Sequence, residues 1–188
     1  PGANTFSIGS RKTFIHRTPL RNKKFRALYH NRRPLANYLR VTSFFLWKEV
    51  PKPTPYAVSS ISMLSADEGW AIAGNTFLHY TYGSWQVVPS PTGNSLESIS
   101  MVSADEGWAV GWNSTIVHYI NGTWQTVPIT PTNYYLHSVA MVSRDEGWAV
   151  GAFGVILHYK GSTWRVEPAP TTNNLYSVAM VSPNEGWA

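Results

Sequence analysis

The chain contains no cysteine. A disulfide framework and a thiolate metal site are both excluded, and the compartment is not fixed by this lack. Long hydrophobic runs are absent too. The densest, VTSFFLW at 41–47, is far too short to span a bilayer. Positive charge is almost missing after residue 57, where Arg144, Lys160 and Arg165 stand against nine acids. That region therefore has no arginine cluster to clamp a carboxylate. There is no Gly-rich phosphate loop with a lysine and no G-x-S-x-G nucleophile turn.

What the chain does have is tryptophan, and the tryptophans recur. SADEGWAVGWNSTIVHYINGTW (103–124) returns as SADEGWAIAGNTFLHYTYGSW (65–85) and as SRDEGWAVGAFGVILHYKGSTW (143–164), and SPNEGWA starts a fourth copy at Ser182. Trp70, Trp108, Trp148 and Trp187 mark one register, and Trp85, Trp124 and Trp164 a second. A period of about 40 residues with paired Gly and Trp is the signature of stacked β units, most often propeller blades. Identical placement in every copy argues that these rings pack between blades, each burying roughly 150–250 Å². Stacking on a sugar or a peptide is the competing reading.

The second copy shows how one blade is built. LESISMVS (96–103) alternates apolar and polar residues, the period of a half-buried strand. Asp105-Glu106-Gly107 is expected to turn the chain, the aspartate accepting backbone bonds and the glycine supplying a positive φ. GWAVGW (107–112), TIVHYI (115–120) and TWQTVPI (123–129) complete four strands, and Asn121-Gly122 is a hairpin signal. The expected blades lie near 58–96, 97–136 and 137–176, with a partial one at 177–188.

Residues 1–57 differ in kind. They hold twelve Lys and Arg against Glu49 alone. RNKKFRALYHNRRPLANYLR (21–40) could form a short amphipathic helix, but Pro34 interrupts it. The expectation is a disordered basic arm, able to meet nucleic acid or an anionic membrane electrostatically. Basic residues before a short apolar run resemble a signal peptide, though the basic region is too long. An extracytoplasmic setting is favoured, with the compartment left open. PKPTP (51–55) reads as an extended linker.

The run GWAVG–x₂–GxILHY–x₂–GTW resembles the repeat of the photosystem II assembly and stability factor family, and the wider group of bacterial neuraminidase (Asp-box) repeat proteins. The resemblance covers about residues 58–188. It implies a β-propeller, and the expected fold is all-β: an open arc of about three four-stranded antiparallel blades from a larger propeller of about six to eight blades. The Asp-box pattern S-x-D-x-G-x-T-W is reduced here to Tyr82-Gly83-Ser84-Trp85, Asn121-Gly122-Thr123-Trp124 and Gly161-Ser162-Thr163-Trp164.

Chemistry is sparse. Sialidases of this fold use an arginine cluster with Tyr, Glu and Asp, and a glycosidase needs two carboxylates at a defined gap. Asp67-Glu68, Asp105-Glu106 and Asp145-Glu146 repeat once per blade, which points to turns. His79, His118 and His158 also occur once per copy, a blade width apart, and suit structural hydrogen bonds better than one metal ion. His137 stands alone and carries little information. No catalytic residue, cofactor or metal is expected in this segment.

Two loop sets vary between copies. One joins strands 2 and 3 of a blade (Gly74-Asn75, Trp112-Asn113, Phe153-Gly154), and the other joins blades (92–95, 132–135, 171–174). In a four-stranded meander both emerge on one face. Variable aromatics on a rigid scaffold make a binding face, so Trp112, Asn113, Tyr134, Tyr135 and Phe153 are the candidate partner-binding residues. The plain alternative is that they only cover loop edges. The expected function is a non-catalytic binding or scaffold module for a protein or a glycan. The alternative is part of a propeller glycoside hydrolase with catalytic residues in further blades. As a fragment, the segment should self-associate, unless residues 41–50 pair as an extra strand.

Overall fold

The computed structural model describes residues 14–18, 29–30, 33–34, 46–129 and 133–188. Contacts divide the chain into a unit within Thr13–Val50 and a second unit that holds the repeats from Pro51 to Ala188. In the first, β1 (Phe14–Thr18) pairs antiparallel with β4 (Leu46–Val50), Phe14 opposite Val50. The short strands β2 (Tyr29–His30) and β3 (Arg33–Pro34) pair with each other. Most of the expected basic arm, and most of the weak helix pattern at 21–40, lies outside the described residues.

The repeats form three antiparallel meanders. Blade 1 is β5 (Val58–Met63), β6 (Glu68–Ala73), β7 (Thr76–Thr81) and β8 (Ser84–Val88). Blade 2 is β9 (Leu96–Ser103), β10 (Glu106–Gly111), β11 (Ile116–Ile120) and β12 (Thr123–Thr126). Blade 3 is β13 (Leu136–Ser143), β14 (Glu146–Gly151), β15 (Ile156–Lys160) and β16 (Thr163–Glu167). A hairpin of β17 (Ala179–Ser182) and β18 (Glu185–Trp187) follows. The fold is all-β, as the period implies. Among the described residues from 58 on, the one helical element is a single 3₁₀ turn, Ala152–Gly154.

The turn between strands 3 and 4 needs positive φ at both central residues, because only that twist matches the flanking strands. Asn121 and Gly122 supply φ of 53° and 77°, and Tyr82-Gly83 and Gly161-Ser162 do the same in the other blades. The turn between strands 1 and 2 departs from expectation. Gly69, Gly107 and Gly147 are strand residues and do not supply its positive φ. They are glycine because the methionine on the facing strand lies over them. A Cβ on Gly107 would stand 2.2 Å from Met101 Sδ. The turn itself is held by serine: Ser65 Oγ accepts from Asp67 N–H at 3.1 Å, and Ser143 Oγ from Asp145 N–H at 3.2 Å.

The core lies between blades. One cluster joins Trp70, Ile72 and Phe77 of blade 1 to Leu96, Ile99, Val117 and Trp124 of blade 2. The next joins Trp108, Val110 and Ile116 to Leu136, Val139, Leu157 and Tyr159. At the start of strand 2 in blades 1 and 2, Trp70 and Trp108 are enclosed by rings. Trp108 stacks on His118 of its own blade at 3.8 Å, and meets Tyr159 at 4.6 Å and Trp164 edge-on at 5.4 Å from the next blade. Trp70 repeats this with His79, Tyr119 and Trp124. Trp70, Trp108, Trp124 and Trp164 pack between blades, as their register implies, whereas Trp148 is half-buried and Trp187 is exposed.

Serines stitch the first strands together. A strand edge carries N–H groups that need partners when covered. Ser60 and Ser62 Oγ accept from Ile99 and Met101 N–H at 3.2 and 3.0 Å. Ser98 and Ser100 serve Val139 and Met141 in the same way, both at 3.1 Å. Ser138 serves Val178 at 3.2 Å. Ala140 stands where the second serine of blade 3 would be.

Candidate binding face

The loops between strands 2 and 3 meet the links between blades through backbone bonds. Trp112 N–H donates to Ser95 O at 3.0 Å, Ala152 N–H to Tyr135 O at 2.8 Å, and Leu175 N–H to Gly151 O at 2.9 Å. These approaches are close because the strand-2 ends are glycine. A Cβ on Gly111 would lie 2.1 Å from Ser95 O, and one on Gly151 2.0 Å from Tyr135 O. The two variable loop sets are thus locked to each other on one face.

Four candidate residues gather at the joint of blades 2 and 3. Trp112 is 47% exposed. Its indole N–H donates to Glu97 Oε1 at 2.8 Å, and Tyr135 meets the ring edge-on at 5.4 Å. Asn113 takes a φ of 53°, and its amide donates to Asn94 Oδ1 at 3.3 Å. Tyr134 is half-buried and packs on the core between blades 2 and 3, with its N–H on Ser114 Oγ at 2.8 Å. Tyr134 is therefore largely scaffold. Phe153 sits one blade further on, 71% exposed, with its N–H on Asn174 Oδ1 at 3.0 Å.

Sequence reasoning missed Glu97, and it set His137 aside. His137 in fact lies against Tyr176 with ring centroids 5.0 Å apart. Ser59, Glu97 and His137 are the second residues of β5, β9 and β13, and Tyr176, just before β17, is their counterpart in the fourth copy. That position varies from copy to copy as much as the loops do, and this was the available signal. The positive side chains of the repeats lie elsewhere. Arg144 is in the strand 1–2 turn, at the other end of the blade, and pairs with Glu106 across the joint. Lys160 bonds Glu146 at 3.3 Å.

The recurring acids are not equivalent. The aspartate stays in the turn, while Glu68, Glu106 and Glu146 enter strand 2 and bond His79, His118 and His158 at 2.5, 3.3 and 3.0 Å. Each histidine thus has its own carboxylate and lies flat on its own tryptophan. Burial lowers the pKa of His118 from the ordinary imidazole value, outweighing the pull of Glu106. The His158 hydrogen bond, helped by Lys160, holds Glu146 below the usual carboxylate range. Among the described residues, no group of three or more His, Asp or Glu is placed to hold a metal ion.

Residues 77–167 match the family model described as photosynthesis system II assembly factor YCF48. The blades are similar in fold to those of the YCF48 structures. The structure of YCF48 from Cyanidioschyzon merolae is similar over 75% of this chain and 53% of its own, with 20% identity and a TM-score of 0.61. A structure of YCF48 bound to D1 peptide is similar over 67% and 46%, with 21% identity and a TM-score of 0.58. A protein of unknown function from Bacteroides caccae is similar over 77% and 57%, with 11% identity and a TM-score of 0.54. No curated protein sequence matches the chain. The chain spans about half the length of the YCF48 structures, and at these identities the likeness is one of fold. The three four-stranded sheets correspond to part of a YCF48 propeller.

Proposed function

We propose that this chain is a non-catalytic binding module whose partner is a protein segment docking on the loop face around Trp112 and Tyr135. The observation that carries the reading is the Trp112–Tyr135–Glu97 group: two half-exposed rings at a right angle, with the indole held by a carboxylate. Rigid aromatics with a polar tip suit peptide contact, since they supply area without losing much rotamer freedom. The YCF48 structure with a bound D1 peptide supports a protein partner over a glycan. The recurring glutamates support a non-catalytic role, since each is engaged by a histidine.

The test is to pan a random peptide library against the 188-residue chain and measure the recovered peptides by titration. Trp112→Ala and Tyr135→Ala should each weaken binding at least about tenfold with an unchanged melting temperature. A D1 peptide is measured alongside. Peptides that bind both variants as well as the parent overturn the face. Binding on a glycan array that is lost in Trp112→Ala supports the glycan reading instead.

A further inference from the structure

The loop face is decorated unevenly from blade to blade. Three positions differ: the residue after strand 2, the residue ahead of the leucine that opens the next copy, and the second residue of the blade's own first strand. In blade 2 these are Trp112, Tyr135 and Glu97. Their counterparts are Gly74, Ser95 and Ser59 in blade 1, and Ala152, Asn174 and His137 in blade 3. Hydrogen bonds fix the equivalence of Trp112 and Ala152, whose N–H groups donate to Ser95 O and Tyr135 O. Blades 1 and 3 form the same meander without an aromatic at either loop position, so the scaffold does not need these rings. In blade 2 the three side chains meet at a corner. The planes of Trp112 and Tyr135 stand at 83° with centroids 5.4 Å apart, and the rings are 47% and 41% exposed. Glu97 Oε1 accepts the indole N–H of Trp112 at 2.8 Å, and among the described residues its second oxygen has no partner. No lysine or arginine stands in either loop set. Arg144 and Lys160 hold Glu106 and Glu146 towards the other end of the blades, and Arg165 is opposite His158 on β15.

We propose that this corner takes the side chain of a lysine in the docked protein segment, with the ammonium over the ring faces and against Glu97. The inference rests on the reading of this face as a peptide site, and it names the residue of the peptide that the site selects. Ring faces carry the negative side of the aromatic quadrupole and attract a cation, tryptophan most strongly. The lysine stem can lie along the indole while its head stays at the carboxylate. The carboxylate also decides between lysine and arginine. An arginine fork engages both oxygens of a carboxylate side by side, and here one of them already accepts the indole N–H. An ammonium is a point charge with rotatable donors, and one oxygen satisfies it. The indole bond holds Trp112 in place before the partner arrives, so little side-chain freedom is lost on binding. Blade 3 offers His137 and Asn174 in place of Glu97 and Tyr135, so the face selects one lysine rather than a row of them.

The probes are random peptide libraries with the central residue fixed as lysine, arginine, norleucine or glutamate, each panned against the 188-residue chain. The lysine library should yield the tightest peptides. In titrations of these peptides, exchanging the lysine for norleucine keeps the stem, removes the charge and should weaken binding at least about tenfold. Glu97→Gln in the protein keeps an acceptor for the indole N–H and should weaken binding by a similar factor, with an unchanged melting temperature. The two changes together should weaken it little more than either alone. Added salt should lower the affinity of the lysine peptide and leave that of the norleucine peptide nearly unchanged. Peptides that need Trp112 but tolerate norleucine, or are indifferent to Glu97→Gln, overturn the lysine site and leave the peptide face standing. Tighter peptides from the arginine library overturn the choice of lysine. If no library gives binding that Trp112→Ala weakens, the face itself fails and the lysine site fails with it.

Discussion

The joint between blades 2 and 3 and the joint between blade 3 and the terminal hairpin come from the same repeat. Among the described residues they carry different contacts. The first has two serine bonds, an ion pair from Arg144 to Glu106, and Trp108 closed in by His118, Tyr159 and Trp164. The second has one serine bond, and Trp148 has only the His158 face covered by a described ring. The local meander is the same in both. A blade of this kind forms its strands alone, but its core belongs half to its neighbour.

The sharpest way to test that contrast is to remove equivalent rings. Trp108→Ala should destabilise the chain by about 3–5 kcal/mol, as large aromatic core truncations do, while Trp187→Ala should cost about 0.5 kcal/mol or less. Urea melts of the two variants check this, and equal losses would show that the joints do not differ. Gly111→Ala comes next. Its Cβ meets the backbone of Ser95 rather than a flexible side chain, so the strand must move, at about 1–3 kcal/mol. The same change should shift the near-ultraviolet signal of Trp112, which follows it in the chain.

The serines allow the joints to be interchanged. Ser100→Ala strips a covered N–H of its partner and should cost about 1–3 kcal/mol. Ala140→Ser adds the missing bond to the second joint and should gain about 0.5–1.5 kcal/mol. Hydrogen exchange at the Met141 and Met180 amides separates the two effects: protection falls at the first and rises at the second. Protection at Met180 unchanged by Ala140→Ser would break the comparison.

The smallest effect is on pH. His118 has a folded pKa below its unfolded value of 6.5, so the unfolded chain takes the proton first and stability falls as pH drops below that value. Glu146 is held below 4.5, so its contribution is present above that value and is lost as pH falls through its folded pKa. Both signs agree, and acidification should lower the urea midpoint in two stages. A midpoint that rises on going from pH 7 to pH 5 would contradict the assignment.

Much of the blade was legible because alternation, Gly-Trp punctuation and Asn-Gly turns are local signals. LESISMVS forms β9 over its full length. The functions of the polar residues within that pattern were not legible strand by strand. Ser98 and Ser100 read as the solvent half of an alternating strand, yet they bond backbone about one repeat further on. Glu106 read as half of a turn pair, because its partner His118 lies across a strand pairing. On the face, Trp112 stood out by differing from the loop residues it was read against, Gly74 and Phe153. Glu97 did not, because its position was read only as part of a strand.

Trp70 stacks on a histidine of its own repeat, but its other side is covered by Tyr119 and Trp124 of the next. A nascent chain emerging from the ribosome therefore always displays one uncovered indole at its growing end, and each new repeat covers the last and exposes another. Synthesis runs in the same direction as the stacking of the blades. The serine bonds between blades reach 39 to 41 residues along the chain, so each step waits until the next repeat has been made. The exposed tryptophan moves along the chain as a marker of how far folding has progressed.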